Sequence, residues 1–291
     1  MIRNRIRKFF NSLCRPFCRK EVKVTIKSLP YTEWLIGRCA LITGGTSGIG
    51  KAIAVAFLKA GASVIITGRF QERVNATVEQ LKAQSGSSAV LGAVLDNTKV
   101  ESFDTVFHDI LNQINTIGIF SVDILVNNAG VNFRGMPNAV ESEYDLVLNT
   151  NLKGAFFLSQ LFGKYFVSNG IKGNILNIAS ASSLRPADSA YTISKWGLRG
   201  LTLGLAKALG KYGVTVNGIA PGPTATPMML KNSETNMELK RIPLGRYIMP
   251  EEIANMSVML VSDMGRSIMG DIVYMTGGAG NLTYDDVSYS F

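Results

Sequence analysis

From Gly37 onward, short apolar runs alternate with longer segments in which apolar residues recur every three or four positions. The short runs predict strands at about 39–43, 63–67, 89–95, 122–127, 173–179, 214–219 and 271–275. The longer segments predict helices at about 48–60, 70–85, 98–116, 141–168, 189–212 and 250–262. Several strands are apolar almost throughout, such as ASVIITG and VDILVNN. A strand with one wet face would alternate, so continuous apolarity indicates a parallel sheet covered by helices on both faces. The expected fold class is α/β, a doubly wound parallel sheet in a three-layer sandwich, forming a single domain over 31–291. No internal repeat or low-complexity segment interrupts it.

Residues 1–30 follow a different pattern. Ile2, Ile6, Phe9, Phe10, Leu13 and Phe17 fall on one helical face among arginines and lysines, until Pro16 breaks or kinks the last turn. Val22, Val24 and Ile26 then alternate with polar residues as a short extra strand would, and Pro30 marks a boundary. A basic amphipathic segment of this kind reads as a membrane-surface anchor; a basic arm or an intersubunit contact are the alternatives. Charge placement follows the same division. The chain carries a net +9, but residues 1–30 hold nine Lys/Arg against Glu21 alone, leaving 21 basic and 20 acidic residues elsewhere. A neutral body argues against nucleic acid as a partner. No apolar run approaches the roughly 20 residues that span a bilayer.

Three cysteines, Cys14, Cys18 and Cys39, make no disulfide framework and suit a reducing cytosol, so the expected location is cytoplasmic, at the inner face of a membrane if the tail binds one. The single histidine, His108, lies in a helical segment and reads as a surface residue. Histidine-dependent hydrolysis and a zinc centre are therefore not expected, and no metal site is assigned.

The strand CALIT at 39–43 runs into TGGTSGIG and then directly into the helical KAIAVAFLKAG. Glycines let a backbone approach a pyrophosphate, and a helix N-terminus adds N–H groups and a favourable dipole. Candidate contacts over this turn are Thr43, Gly44, Thr46, Ser47, Gly48, Ile49 and Gly50. The Gly-x3-Gly-x-Gly spacing departs from the more familiar GxGxxG. The second strand ends Thr67-Gly68-Arg69, with no acid before Glu72. An acid there would bind a ribose hydroxyl, whereas Arg69 pairs with a 2′-phosphate, so NADP(H) is expected ahead of NAD(H).

In NIASASSLRPADSAYTISKWG, Tyr191 and Lys195 are one helical turn apart and share a face. An ammonium about 4 Å from a phenolate is worth about 4 kcal/mol at an effective dielectric near 20, or about 3 pKa units. The pair thus predicts a phenol tuned toward neutrality as a general acid/base. Nine Tyr and sixteen Lys in 291 residues make one such spacing expected about half a time by chance, so the pair needs its context.

That context resembles the short-chain dehydrogenase/reductase family of compact, single-domain type. The resemblance covers about 35–280 and rests on TGGTSGIG, NNAG at 127–130, Asn151 in NTNLKG, the Ser–Tyr–Lys stretch and Pro221-Gly222. It implies a Rossmann-like fold and interconversion of a secondary alcohol and a ketone by hydride transfer. By resemblance, Tyr191 is the acid/base, and Lys195 holds ribose hydroxyls and lowers the tyrosine pKa. Ser180 bonds the reacting oxygen, and Asn151 orders a water toward Lys195. Asp96 and Asn97 approach the adenine side; Asn127, Asn128, Ala129 and Gly130 line the cofactor and brace the sheet. Pro221, Gly222 and Thr224 hold the nicotinamide. Ser180 stands two residues closer to Tyr191 than in many family members, which leaves Ser182 and Ser183 as competitors for its role.

The link at 222–249 contains Met228, Met229, Met237 and Met249, which either line an adaptable pocket or pack a lid. Phe133, Arg134 and Gly135 are expected at the same rim, Arg134 as a solvated arginine or a reader of acidic substrates. The resemblance places a sugar, polyol or sugar-acid substrate first and a 3-oxoacyl thioester second, in a homodimer or homotetramer paired through 141–168 and 189–212. A non-catalytic membrane-surface protein retaining the fold is the reading of another class.

Overall fold

A computed structural model of the chain describes residues 33–229 and 236–280, together with Lys23. The amphipathic segment at 1–20 and the extra strand near 22–26 thus lie outside the described residues, Lys23 apart.

Seven strands form one sheet, all parallel: β1 (Cys39–Ile42), β2 (Ser63–Gly68), β3 (Val90–Val94), β4 (Ile124–Asn127), β5 (Asn174–Ile178), β6 (Thr215–Pro221) and β7 (Ile272–Met275). Their order is β3-β2-β1-β4-β5-β6-β7, so the chain winds outward twice from the β1/β4 boundary. Crossovers supply α1 (Gly48–Lys59), α2 (Gln71–Ser85), α3 (Phe103–Thr116), α4 (Glu141–Leu148), α5 (Gly154–Ser168), α6 (Ala190–Leu209) and α7 (Pro250–Val261). The seven strands predicted from 39 onward are all present, with ends shifted by about two residues at most. The predicted helix 141–168 is instead interrupted by a π-helical turn, Asn149–Lys153.

The two-residue period of a strand divides the core. Ala40 and Ile42 of β1 face one layer with Ile53 and Phe57 of α1 and Ile253 and Val258 of α7. Cys39 and Leu41 face the other, with Phe107 of α3 and Phe162 and Phe166 of α5. The rings interlock, Phe107 to Phe162 at 4.8 Å and Phe162 to Phe166 at 5.6 Å between centroids. Burying each such side chain contributes roughly 1.5–3 kcal/mol.

At the amino ends of the strands a polar clamp sets register. Arg38 pairs with Asp123 and donates to Asn174 Oδ1 (2.6 Å), while Asp123 accepts from the Cys39 amide at 2.7 Å. The carboxyl ends are left to carry the cleft, as expected where strand order reverses. Among the described residues no helix is long and apolar enough to cross a membrane. His108 is exposed on α3.

Candidate active site

Glycine makes the first wall. Gly44 and Gly48 have φ of +63° and +53°, a region L side chains rarely adopt, so the turn after β1 can fold tightly against α1. A Cβ on Gly50 would stand 2.3 Å from Asn128 Nδ2 and 2.6 Å from the Gly44 carbonyl. Gly50 is therefore required by the neighbouring loop rather than by a ligand. Asn128 occupies that space, donating to the Thr43 and Gly44 carbonyls at 2.9 and 3.1 Å. Thr43 Oγ1 accepts from the amides of Asn128 and Ala129, both at 3.0 Å. Ser47 opens α1 with no side-chain cap bond, and the first turn contains no acid. The N-terminal amides and the positive end of the helix dipole thus stay suited to an anion.

A cavity of about 1000 Å³ runs from this turn along the carboxyl ends of the strands. Of the candidate residues, all line it except Thr43, Gly50 and Asn151, and Asn127, named as a brace, lies behind it too. Those four sit behind the wall and brace it. Asn127 is bonded to Ser159 Oγ (2.9 Å) and Asn177 Oδ1 (2.8 Å) inside the sheet layer.

Ser180 follows β5, and Tyr191 and Lys195 stand one turn apart on α6. Of the three serines, Ser180 is the one that lowers the Tyr191 phenol. Its rivals are otherwise engaged: Ser183 Oγ donates to the Ser180 carbonyl at 2.8 Å, and Ser182 Oγ accepts from Arg185 Nη2 at 3.0 Å. Lys195, almost fully buried, donates to the Ile178 carbonyl at 2.8 Å. Asn151 sits in the π turn, where the widened helix turns its amide out of the α register. There it accepts from the Val131 amide (2.8 Å) and donates to the Val131 carbonyl (3.0 Å) and Ser194 Oγ (3.2 Å).

The electrostatics differ from the sequence expectation. Burial pushes the Tyr191 phenol above its ordinary value; the bond to Ser180 and the charge of Arg185 pull it partly back. Burial also lowers Lys195 to about 8. The amine therefore loses its proton before the phenol does. Its Nζ, 5.6 Å from the Tyr191 ring centroid, is directed to the Ile178 carbonyl. Desolvation, which spacing cannot reveal, outweighs the predicted Coulomb effect.

The methionines of the 222–249 link divide. Met237 and Met249 are buried with Ala225 and Tyr247, whereas Met228 and Met229 are exposed on the cavity wall. A bidentate pair between Arg246 and Glu252, at 2.8 and 2.9 Å, ties the link to α7. At the opposite rim Phe133 and Gly135 line the cavity but Arg134 does not. Three arginines that the motifs do not single out also line it: Arg73, Arg185 and Arg241. Arg73 lies one helical turn beyond Arg69, a spacing that offered a signal; Arg185 is hidden in the shortened serine loop.

The family model described as short chain dehydrogenase matches residues 38–237. The chain belongs to this family. Short-chain dehydrogenases are oxidoreductases that use NAD(H) or NADP(H). The chain is 38% identical over 245 residues to the (2S)-[(R)-hydroxy(phenyl)methyl]succinyl-CoA dehydrogenase subunit BbsD of Thauera aromatica, covering 83% of this chain and 96% of the relative. It is 34% identical to a 3-oxoacyl-[acyl-carrier-protein] reductase of Thermotoga maritima (84% and 98% covered). Identity to gluconate 5-dehydrogenase of Gluconobacter oxydans is 32% (84% and 95%). Among solved short-chain dehydrogenases, one from Burkholderia cenocepacia in complex with NADP superposes with a TM-score of 0.73 at 30% identity (85% and 99%). A 3-ketoacyl-(acyl-carrier-protein) reductase from Brucella melitensis complexed with NADH gives 0.74 at 27% (84% and 99%).

Proposed function

We propose that this short-chain dehydrogenase interconverts a secondary alcohol and a ketone with NADP(H). The observation that carries this reading is the Ser180–Tyr191–Lys195 cluster on the wall of a cavity whose other end is the glycine turn. That wall fits a dinucleotide: positive-φ glycines, an uncapped helix N-terminus, and two arginines, Arg69 and Arg73, beyond β2. The arginines favour a 2′-phosphate and hence NADP(H), with NAD(H) second.

The bound nicotinamide supplies or accepts the hydride. A phenol is protonated at neutral pH and burial raises Tyr191 further, so it donates to the carbonyl oxygen during reduction. Ser180 hydrogen-bonds that same oxygen as charge develops on it. Lys195, with a pKa of about 8, still carries its charge at neutral pH and favours the phenolate as it forms. Asn151 acts as a positioning residue, holding the Val131 backbone that follows NNAG.

One observation favours the 3-oxoacyl thioester over the sugar-type substrate placed first by sequence. The substrate end of the cavity exposes Phe133, Met136, Met228 and Met229, an apolar rim suited to an acyl chain. The exposed apolar Phe156, Ile193, Trp196 and Leu203 of α5 and α6 support pairing of subunits. The basic segment 1–20 supports peripheral membrane contact.

A screen following NADPH absorbance with 3-oxoacyl thioesters, sugars and keto acids tests the reading. Oxidation of NADPH by a 3-oxoacyl thioester is expected. Failure of every carbonyl compound overturns it.

A further inference from the structure

The serine loop, 180–185, is braced from α6 by residues that take no part in the proposed proton transfer. Trp196 Nε1 donates to the Arg185 carbonyl at 2.8 Å. Arg199 lies over the Trp196 ring at 5.3 Å and donates to the Ser183 carbonyl at 3.3 Å. The bracing fixes the backbone of an arginine whose side chain lines the cavity. One guanidinium nitrogen of Arg185 is already committed to the buried Ser182 hydroxyl at 3.0 Å. Ser182 in turn donates its amide to Ser180 Oγ at 3.1 Å, so the guanidinium stands two hydrogen bonds from the serine beside Tyr191. Its charge reaches the phenol. Among the described residues Arg185 forms no ion pair, although Asp188 also lines the cavity.

An arginine held at its backbone and at one nitrogen keeps its remaining N–H donors in a fixed fork, the geometry that recognises a carboxylate. We infer that Arg185 is a specificity-determining residue that binds a carboxylate carried by the substrate a few bonds from the reacting carbonyl. The substrate class is then an oxo acid, free or as the half-acid of an acyl thioester, rather than a neutral ketone. The cation stands unpaired where the substrate would lie, and the apolar rim accommodates the rest of the molecule. This inference rests on the ketone-reductase reading given above.

The matched probes are 3-oxoadipyl-CoA and 3-oxohexanoyl-CoA. They share the thioester, the nucleotide and the carbon count, and differ by a terminal carboxylate in place of a methyl. With full-length protein and NADPH, kcat/KM is expected to favour the acid by at least about tenfold, in the range of a charge-assisted hydrogen bond. In Arg185→Gln that ratio should fall to about one, and Arg185→Lys should keep part of it. A ratio unchanged in Arg185→Gln overturns the inference, including the case in which both substrates slow equally because the loop has shifted. If neither compound is turned over, the wider carbonyl screen decides the ketone-reductase reading separately, and calorimetric binding of the same pair decides this inference. Tighter binding of the acid, lost in Arg185→Gln, upholds the role of Arg185; equal binding overturns it.

Discussion

At the glycine-turn end of the cleft the wall is backbone, made by β1, α1 and the NNAG loop pressed so closely that a single Cβ at Gly50 has no room. At the other end the wall is side chains on the serine loop and the 222–249 link, with exposed methionines and arginines. The first end offers amides in fixed positions to a ligand common to a whole family. The second offers groups that substitution can exchange without moving the sheet. A cleft can thus keep one cofactor and vary its substrate because only one of its ends is built into the core.

The largest expected effect lies where the two ends meet. Tyr191→Phe should lower ketone reduction about 10³-fold, as loss of a general acid does, while NADPH binding measured by fluorescence stays within about twofold. If turnover survives, the proton donor is elsewhere.

Lys195→Met should separate chemistry from stability. A buried amine with pKa about 8 in the folded chain, against 10.5 unfolded, destabilises the protein below pH 8 by about 3 kcal/mol. In that range both states bind the proton, and the folded one holds it less well. As pH rises from 8 to 10.5 the unfolded chain binds more protons than the folded one, and the penalty fades. Denaturant melts should show Lys195→Met more stable than the parent at pH 7, less the lost bond to Ile178, and the gain shrinking toward pH 10.5. Equal stability at pH 7 would show that the folded protein solvates this ammonium.

Gly50→Ala tests the rigid end directly. Overpacking against Asn128 should cost about 2 kcal/mol in thermal or chemical unfolding and weaken both NADPH and NADH. A smaller change is expected at the adenosine end, where Arg69→Ala should weaken NADPH about tenfold and NADH hardly at all. Equal losses for the two cofactors would shift the preference onto Arg73.

The same division explains what could be read from sequence. Strands such as Ser63–Gly68, apolar on both faces, and the strand–glycine–helix succession are local signals, and both appear where expected. That Tyr191 and Lys195 share one turn of a helix is legible because helical spacing is local too. The direction of their pKa shifts is not, because desolvation depends on everything packed around them. Arg185 carries no such local signal for a related reason: its partner Trp196 lies 11 residues away across a turn whose shape no motif specifies. Resemblance singles out Asn151, but its clamp on Val131 exists only because a helix predicted as continuous widens at Asn149–Lys153.

That widening is a spacer of one surplus residue. The wide turn absorbs that residue without rotating α5 against α4, so that Val147 before it and Leu158 after it both stay buried, 1% and 2% exposed. Removing one residue from 149–153 would restore an unbroken α-helix whose two flanks keep their present rotational phase. Val147 and Leu158 would stay in the core, and Asn151 would leave the Val131 backbone. A single deletion there should therefore spare the fold and abolish the Asn151 clamp.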